Sequence, residues 1–264
     1  MNILVIGTGE IEKTFLELCL KSKFLDKLYT ASNALTEKIP NIEYENFEDL
    51  AKKAKALHID IAITADKKLI KDGIYDTLKR YGVNIIALNK KWANLESRII
   101  SKTLAAHYSI NIPEIIKAPL SFPVVLKTDI PECTVLANSM SDLIEKKSKL
   151  DNKKNFIEEW LDGEVFYILS LWDGMNLATF PVNTALTEVQ NDRLELYKTK
   201  LNFMLSDEKA NFTGFFTSKL LWTRNDWYLL EYIPYPSKKS ALKYIKTDFL
   251  YILNLAIYQK LNEL

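Results

Sequence analysis

Glycine is what this sequence lacks most: 7 in 264 positions, where an average chain carries about 7%. Loops that wrap a phosphate in backbone N–H groups draw on several glycines, so the scarcity argues against a long glycine-rich phosphate cradle. Histidine is rarer still, with only His58 and His107. No Cys-x-x-Cys occurs, which argues against a transition-metal centre. Cys19 and Cys133 lie far apart and give no disulfide framework, as expected in a reducing compartment. No apolar run reaches the ~18 residues that suggest a membrane-spanning helix, and "MNILVIGTGE" lacks the basic head and the length of a signal peptide. The expected location is the cytoplasm, with no membrane partner. Neither sign of charge prevails: the net charge is +1 and the two signs are interspersed. That leaves no polyanion-binding face and argues against nucleic acid as a partner.

What is present is apolar material for a full core, 48% of the residues, in a chain long enough for one large or two smaller domains. The first third alternates strand-like and helix-like runs. Asn2–Ile6 reads as a buried parallel strand and Glu10–Leu20 as a helix with an apolar stripe at Ile11, Phe15, Leu18 and Cys19. Leu28–Ala31, Asp60–Ala65 and Asn84–Leu88 read as strands. Phe47–Leu57 and Lys68–Tyr81 read as helices, the second ending at Gly82. This order predicts a doubly wound parallel α/β domain.

Lys90–Tyr108 reads as one long amphipathic helix, and Pro113, Pro119 and Pro123 then mark a junction. Beyond it, "FPVVLKTD" and "ECTVLANS" look like paired strands, Ser141–Leu150 like a helix and "NLATFPV" like a strand. "GFFTSKLLW" and "WYLLEYI" flank a hairpin turn at Thr223–Asp226, and Ser240–Leu264 reads as a closing helix with Leu242, Ile245, Phe249, Leu253, Ala256 and Leu261 on one face.

Four features invite a chemical reading. "GTGEIEK" joins the first strand to the first helix, where N–H groups attract anions. A dinucleotide fingerprint wants a third glycine where Glu12 stands, and two acids would repel a pyrophosphate, so a tight βα turn is the plainer reading. Lys127 leaves the apolar run "PVVLK" and suits either a point charge on a phosphate or a solvated strand end. Glu158, Glu159 and Glu164 ring the turn Leu161-Asp162-Gly163. Glu231 emerges from "WYLL", where a carboxylate suits a Mg²⁺ ligand.

In chain order, "GTG", "LNKKWANLESRIISKTLAAHYSINIPE", "FPVVLKTD", "IEEWLDGEVFYILSLWDG" and "WYLLEY" resemble phosphoribosylamine–glycine ligase, also called glycinamide ribonucleotide synthetase, of the ATP-grasp superfamily. The resemblance runs over nearly the whole chain and is most specific at "EEWLDGE" and Leu95–Pro113. It implies an N-terminal α/β domain over residues 1–91, then an α+β ATP-grasp-like domain over 92–264 with a smaller lid part near 119–160. It implies an ATP-dependent ligase joining glycine to phosphoribosylamine in purine biosynthesis, with ATP and Mg²⁺ as cofactors. By the resemblance, Lys127 contacts the ATP phosphates, Glu158, Glu159, Trp160 and Leu161 form the adenine hinge, Glu164 meets the ribose and Glu231 is one Mg²⁺ ligand. No catalytic residue is singled out.

The departures from that pattern are specific. "TDIPECTVLA" follows the matched lysine without a glycine, and "NTALTEVQNDRLELY" replaces a glycine-rich "GPNTGGMG" segment. Ile233 takes the place of the second Mg²⁺ ligand, an asparagine. "GEIEKT" replaces "GGREHA", and Ala65–Lys67 replaces "GPE". The chain ends after the helix matching Ser240–Leu264, so the family's C-terminal domain is expected to be missing. Losing one preorganised donor to a reacting oxyanion costs on the order of 10²–10³ in rate, so reduced or altered activity is expected. The alternative is a non-catalytic nucleotide-binding or protein-interaction module on the ligase scaffold, with its partner unspecified. A nicotinamide-binding protein would rest only on "GTG" and the first βαβ unit.

Overall fold

A computed structural model describes residues 1–32, 39–150, 152–180, 185–237, 242 and 245–264. The N-terminal part alternates as expected: β1 (Asn2–Ile6), α1 (Glu10–Leu20), β2 (Lys27–Ala31), α2 (Phe47–Ala56), β3 (Ile61–Ile63), α3 (Lys67–Asp72), α4 (Ile74–Arg80) and β4 (Ile85–Ile86). The sheet order is β2-β1-β3-β4, and all three pairings are parallel. Side chains set the helix starts. Asn46 accepts from Asp49 N to cap α2, and Asp66 accepts from Lys68 N and Leu69 N to cap α3.

Two helices expected as continuous are each broken by a local cause. Gly73 adopts φ +89, a left-handed conformation that ends α3 and starts α4 inside the run 68–81. Within 90–108, Ser97 is extended and its hydroxyl accepts from Ile100 N. Trp92–Glu96 is therefore a 3-10 turn, and the helix proper, α5, is Arg98–His107.

Next come β5 (Ile115–Ile116), β6 (Val124–Thr128), β7 (Thr134–Ala137), α6 (Met140–Ser148) and β8 (Asn155–Glu159), an antiparallel sheet of order β5-β8-β6-β7. It has its own small core of Val124, Leu126, Ala137, Leu143, Leu150 and Ile157. We call this 115–159 piece the lid and the remainder the body.

The body resumes with β9 (Glu164–Trp172), β10 (Leu177–Thr179), α7 (Glu188–Asp207), β11 (Gly214–Trp222), β12 (Trp227–Ile233) and α8 (Phe249–Ile257), with sheet order β10-β9-β11-β12. Thr223 N donates to Asp226 O in the expected hairpin turn. Leu242, Phe249, Leu253, Ala256 and Leu261 are all buried in one cluster, with Ile245 packed against it. The expected helix 240–264 also covers residues 240, 241, 243 and 244, which lie outside the described residues, as do Pro181 and Val182 of "NLATFPV".

The two sheets of the body share their interior. One core joins Leu4, Ile6 and Ile85 of the parallel sheet to Phe166, Trp172, Phe216 and Tyr232 of the antiparallel one. A second joins Ile3, Val5 and Phe15 to Leu171, Phe215 and Phe249. The two sheets also meet at the bridge Ala87–Thr213. Burial at roughly 25 cal/mol per Å² makes this shared interior, not the linker, the organising contact of the fold.

Candidate functional site

The lid meets the body over six charged side chains. α5 presents Arg98 and Lys102 one turn apart. On the lid, Lys127 of β6 lies opposite Phe156 of β8, so Glu158 is its diagonal neighbour on the same face. In the body, Lys219 of β11 lies opposite both Glu231 of β12 and Tyr167 of β9.

Two carboxylates each hold two cations. Glu158 is 1% exposed and pairs with Lys102 Nζ at 2.7 Å and Lys127 Nζ at 2.6 Å. Lys102, fully buried, also donates to Leu229 O at 3.2 Å. Glu231 pairs with Arg98 Nε at 2.6 Å and Lys219 Nζ at 3.0 Å. Arg98 also donates to Thr128 O and Cys133 O of the lid, at 3.1 and 3.0 Å. Four cations against two carboxylates leave two positive charges in excess, and only Lys219 of the six is more than slightly exposed. Buried unpaired charge is costly, so an excess of this kind is complementary to an anion.

The titration behaviour follows from that crowding. Burial pulls the Lys102 ammonium down to about 8 against the opposing pull of Glu158, with Lys127 adding to the drop. Burial also lowers Lys127, again opposed by Glu158. Burial pushes the Glu231 carboxyl up, but Arg98 and then Lys219 outweigh it and hold the group below its usual range.

Of the residues singled out in the sequence, Lys127, Glu158 and Glu231 come together here. Glu159 does something else: its N donates to Glu114 O and its carboxylate accepts from Glu114 N at 2.9 Å, tying the lid's last strand to its entry. Trp160 is half-exposed beside it and Leu161 partly buried. Glu164 is exposed and pairs with Trp222 in an unbroken register with β11. Strand alternation puts Glu164 on the opposite face from Tyr167 and Lys219; Val165 is the residue on their side. Arg98, Lys102 and Lys219 were not singled out. The readable signal was two cations four residues apart, Arg98 and Lys102, inside "ESRIISKTLAA".

The Mg²⁺ reading of Glu231 meets a specific obstacle. Both its oxygens are engaged by cations, and Ile233 offers only an alkyl chain two residues on. Among the described residues no group of three or more His, Cys, Asp and Glu could hold a metal ion. Mg²⁺ wants oxygen ligands in near-octahedral array, and these residues do not fit it.

The N-terminal turn is closed to anions as well. Glu12 is 2% exposed and its Oε1 accepts from Ala65 N at 2.8 Å. Burial raises its pKa against the pull of that N–H. The carboxylate thus occupies the space a phosphate would take in a dinucleotide fingerprint. Beside the turn lies a cavity of about 600 Å³ lined in part by Glu12, Asp66, Lys67, Lys68, Lys71 and Tyr235. Lys67 and Lys71 both pair with the buried Glu96. No helix among the described residues is long and apolar enough to cross a membrane.

Comparison with known proteins agrees with this architecture. The family described as "Phosphoribosylglycinamide synthetase, N domain" matches residues 1–96. Phosphoribosylamine–glycine ligase of Clostridium acetobutylicum is 26% identical, covering the whole of this chain and 76% of that protein. Its counterpart in Fusobacterium nucleatum subsp. nucleatum is 25% identical over the whole chain and 75% of its own length. The match to the first spans 323 residues against 264 here, so that relative carries segments this chain does not. Among solved structures, phosphoribosylamine–glycine ligase of Thermotoga maritima superposes with a TM-score of 0.78 at 18% identity, covering 98% of this chain and 76% of that one. D-alanine–D-alanine ligase of Bacillus anthracis, complexed with ATP, gives 0.66 at 17% identity, covering 100% and 98%. Over its whole length this chain is therefore similar to the phosphoribosylamine–glycine ligases, and it shares the fold of their solved structure and that of the ATP-complexed D-alanine–D-alanine ligase.

Proposed function

We propose that this chain binds the phosphates of a nucleotide at the lid–body junction, and that it is a ligase relative in which the joining of glycine to phosphoribosylamine is reduced or altered. The observation that carries the reading is the Lys102–Glu158–Lys127 triad, in which two ammonium groups share one carboxylate among the described ion pairs while Arg98 and Lys219 add further positive charge beside it. Lys127 and Lys102 would meet phosphate oxygens as point charges. The hinge at Glu159–Leu161 lies where chain leaves the lid, and its backbone would meet the base. Bound ATP supplies a transferable phosphoryl group; positioning and charge neutralisation are what the protein adds to such chemistry.

Several observations favour reduction. The segment after Lys127 has no glycine with which to fold over a phosphate, Ile233 cannot ligate, and the N-terminal turn is filled by Glu12. The non-catalytic reading draws on the same three features and predicts nucleotide binding without turnover. A coupled assay of phosphate release from ATP with glycine and phosphoribosylamine, run beside calorimetric titration with ATP, decides. Binding with release at the uncatalysed rate supports the non-catalytic form, binding with turnover supports the ligase, and no binding sinks both.

A further inference from the structure

We infer that the junction is a metal-independent polyphosphate site, in which the Arg98 guanidinium takes the place a divalent cation would hold on Glu231. The inference rests on the nucleotide reading above but concerns the ionic form of the ligand. Arg98 Nε and Lys219 Nζ approach the two different oxygens of Glu231, at 2.6 and 3.0 Å. A metal ion would have to displace one of them.

Displacing Arg98 is unfavourable on two further counts. Its guanidinium also donates to Thr128 O and Cys133 O, so moving it costs each of these lid carbonyls a donor. It is itself buried, with its side chain 5% exposed, and would carry an uncompensated charge. Arginine suits this place because its planar fork holds a carboxylate while further N–H groups point elsewhere.

Charge bookkeeping points the same way. The six groups already carry two positive charges in excess. A divalent cation would add two more to the same buried volume and cancel two negative charges on the ligand. The protein thus already supplies at this place the positive charge a metal would bring, while both Glu231 oxygens are taken. The class of ligand is a nucleoside di- or triphosphate without bound Mg²⁺.

The test is calorimetric titration of the full chain with ADP and with ATP, once in EDTA and once in excess Mg²⁺. The expected result is an affinity in EDTA equal to or tighter than that in Mg²⁺. Tightening by Mg²⁺ of about tenfold or more overturns the inference and leaves nucleotide binding standing. No heat in either buffer overturns both. Arg98→Gln keeps a donor near the lid carbonyls and frees one Glu231 oxygen. It should weaken ADP binding in EDTA by about tenfold and let Mn²⁺ alone bind, read by electron paramagnetic resonance. Mn²⁺ binding to the unmutated chain without nucleotide would count against the inference. Because Arg98 is buried, the two-buffer comparison on the unmutated chain stands whether or not that variant folds.

Discussion

Ser97 and Asp129 close the gap between body and lid: the Ser97 hydroxyl donates to Asp129 Oδ1 at 2.6 Å, and that same oxygen accepts from Ile99 N at 3.0 Å. Arg98 N also donates to Asp129 O at 2.9 Å. A lid residue thus caps the first turn of a body helix, where the dipole favours negative charge. Asp129→Ala is expected to cost about 1–2 kcal/mol and to raise hydrogen exchange across residues 115–159 more than across β9–β12. Equal increases in both regions would show that the contact does not hold the lid.

Glu158 is the only carboxylate bound to Lys102 and Lys127 in the described ion pairs. Glu158→Gln leaves two buried ammonium groups without their counter-charge and should cost about 3–5 kcal/mol. The control is Glu145→Gln, which breaks a fully exposed pair with Lys149 and should leave stability nearly unchanged. Urea unfolding of the two variants side by side measures this, and equal midpoints refute the account.

Lys102 gives a pH dependence of definite sign. Its folded-state pKa, about 8, lies below the ordinary 10.5 of the unfolded chain. Between these values the unfolded chain binds the extra proton, so the Lys102 contribution to stability rises with pH across that window. The unmutated protein should therefore gain on Lys102→Met as pH rises from about 8 to 10.5. A constant gap, or one that moves the other way, contradicts the assignment.

Nucleotide binding should separate Lys127 from Glu164. Lys127 belongs to the cluster, whereas Glu164 lies on the opposite face of β9. Lys127→Ala is expected to weaken ADP binding by about tenfold or more, the loss of one charge-assisted contact, and Glu164→Ala to leave it nearly unchanged. The reverse order in calorimetry would place the ribose contact on Glu164, as the resemblance implies.

Gly214 tests the join between the two sheets. A Cβ there would lie 2.5 Å from Ala87 C and 2.6 Å from Ala87 O, both main-chain atoms. Gly214→Ala must push β4 and β11 apart and should cost about 1–3 kcal/mol or more, visible as a lowered Tm. An unchanged Tm would mean that the contact gives way freely.

Much of the scaffold was legible because short-range chemistry sets it. The continuous apolar run "NILVI" ending at Gly7 and the 3.6-period stripe at Ile11, Phe15, Leu18 and Cys19 both survive into the fold. The turn at Thr223–Asp226 is likewise local. Gly73 and Ser97 were legible in principle, as a left-handed C-cap and an N-cap, but the apolar periodicity runs through both and masks them. The site was harder. Lys127, Glu158 and Glu231 carried a resemblance, yet their partners Arg98, Lys102 and Lys219 come from other elements, and no local pattern announces which cation will meet which carboxylate. The face of Glu164 was not legible either, because a one-residue choice of register decides it.

The second core has a consequence for how the chain is made. Phe15 stacks on Phe249 at 5.8 Å between ring centroids, and Ser22 donates to Asp248 at 2.6 Å. One face of the first-synthesised sheet is therefore covered in part by residues made more than two hundred positions later, Phe249 and Leu253 among them. While translation proceeds, Phe15 lacks its ring partners until Phe215 and Phe249 have left the ribosome. The lid, whose core spans only Val124 to Ile157, can condense first. A nascent chain halted before residue 249 should hold a protease-resistant lid on an unsettled body, with the early apolar face open to chaperones.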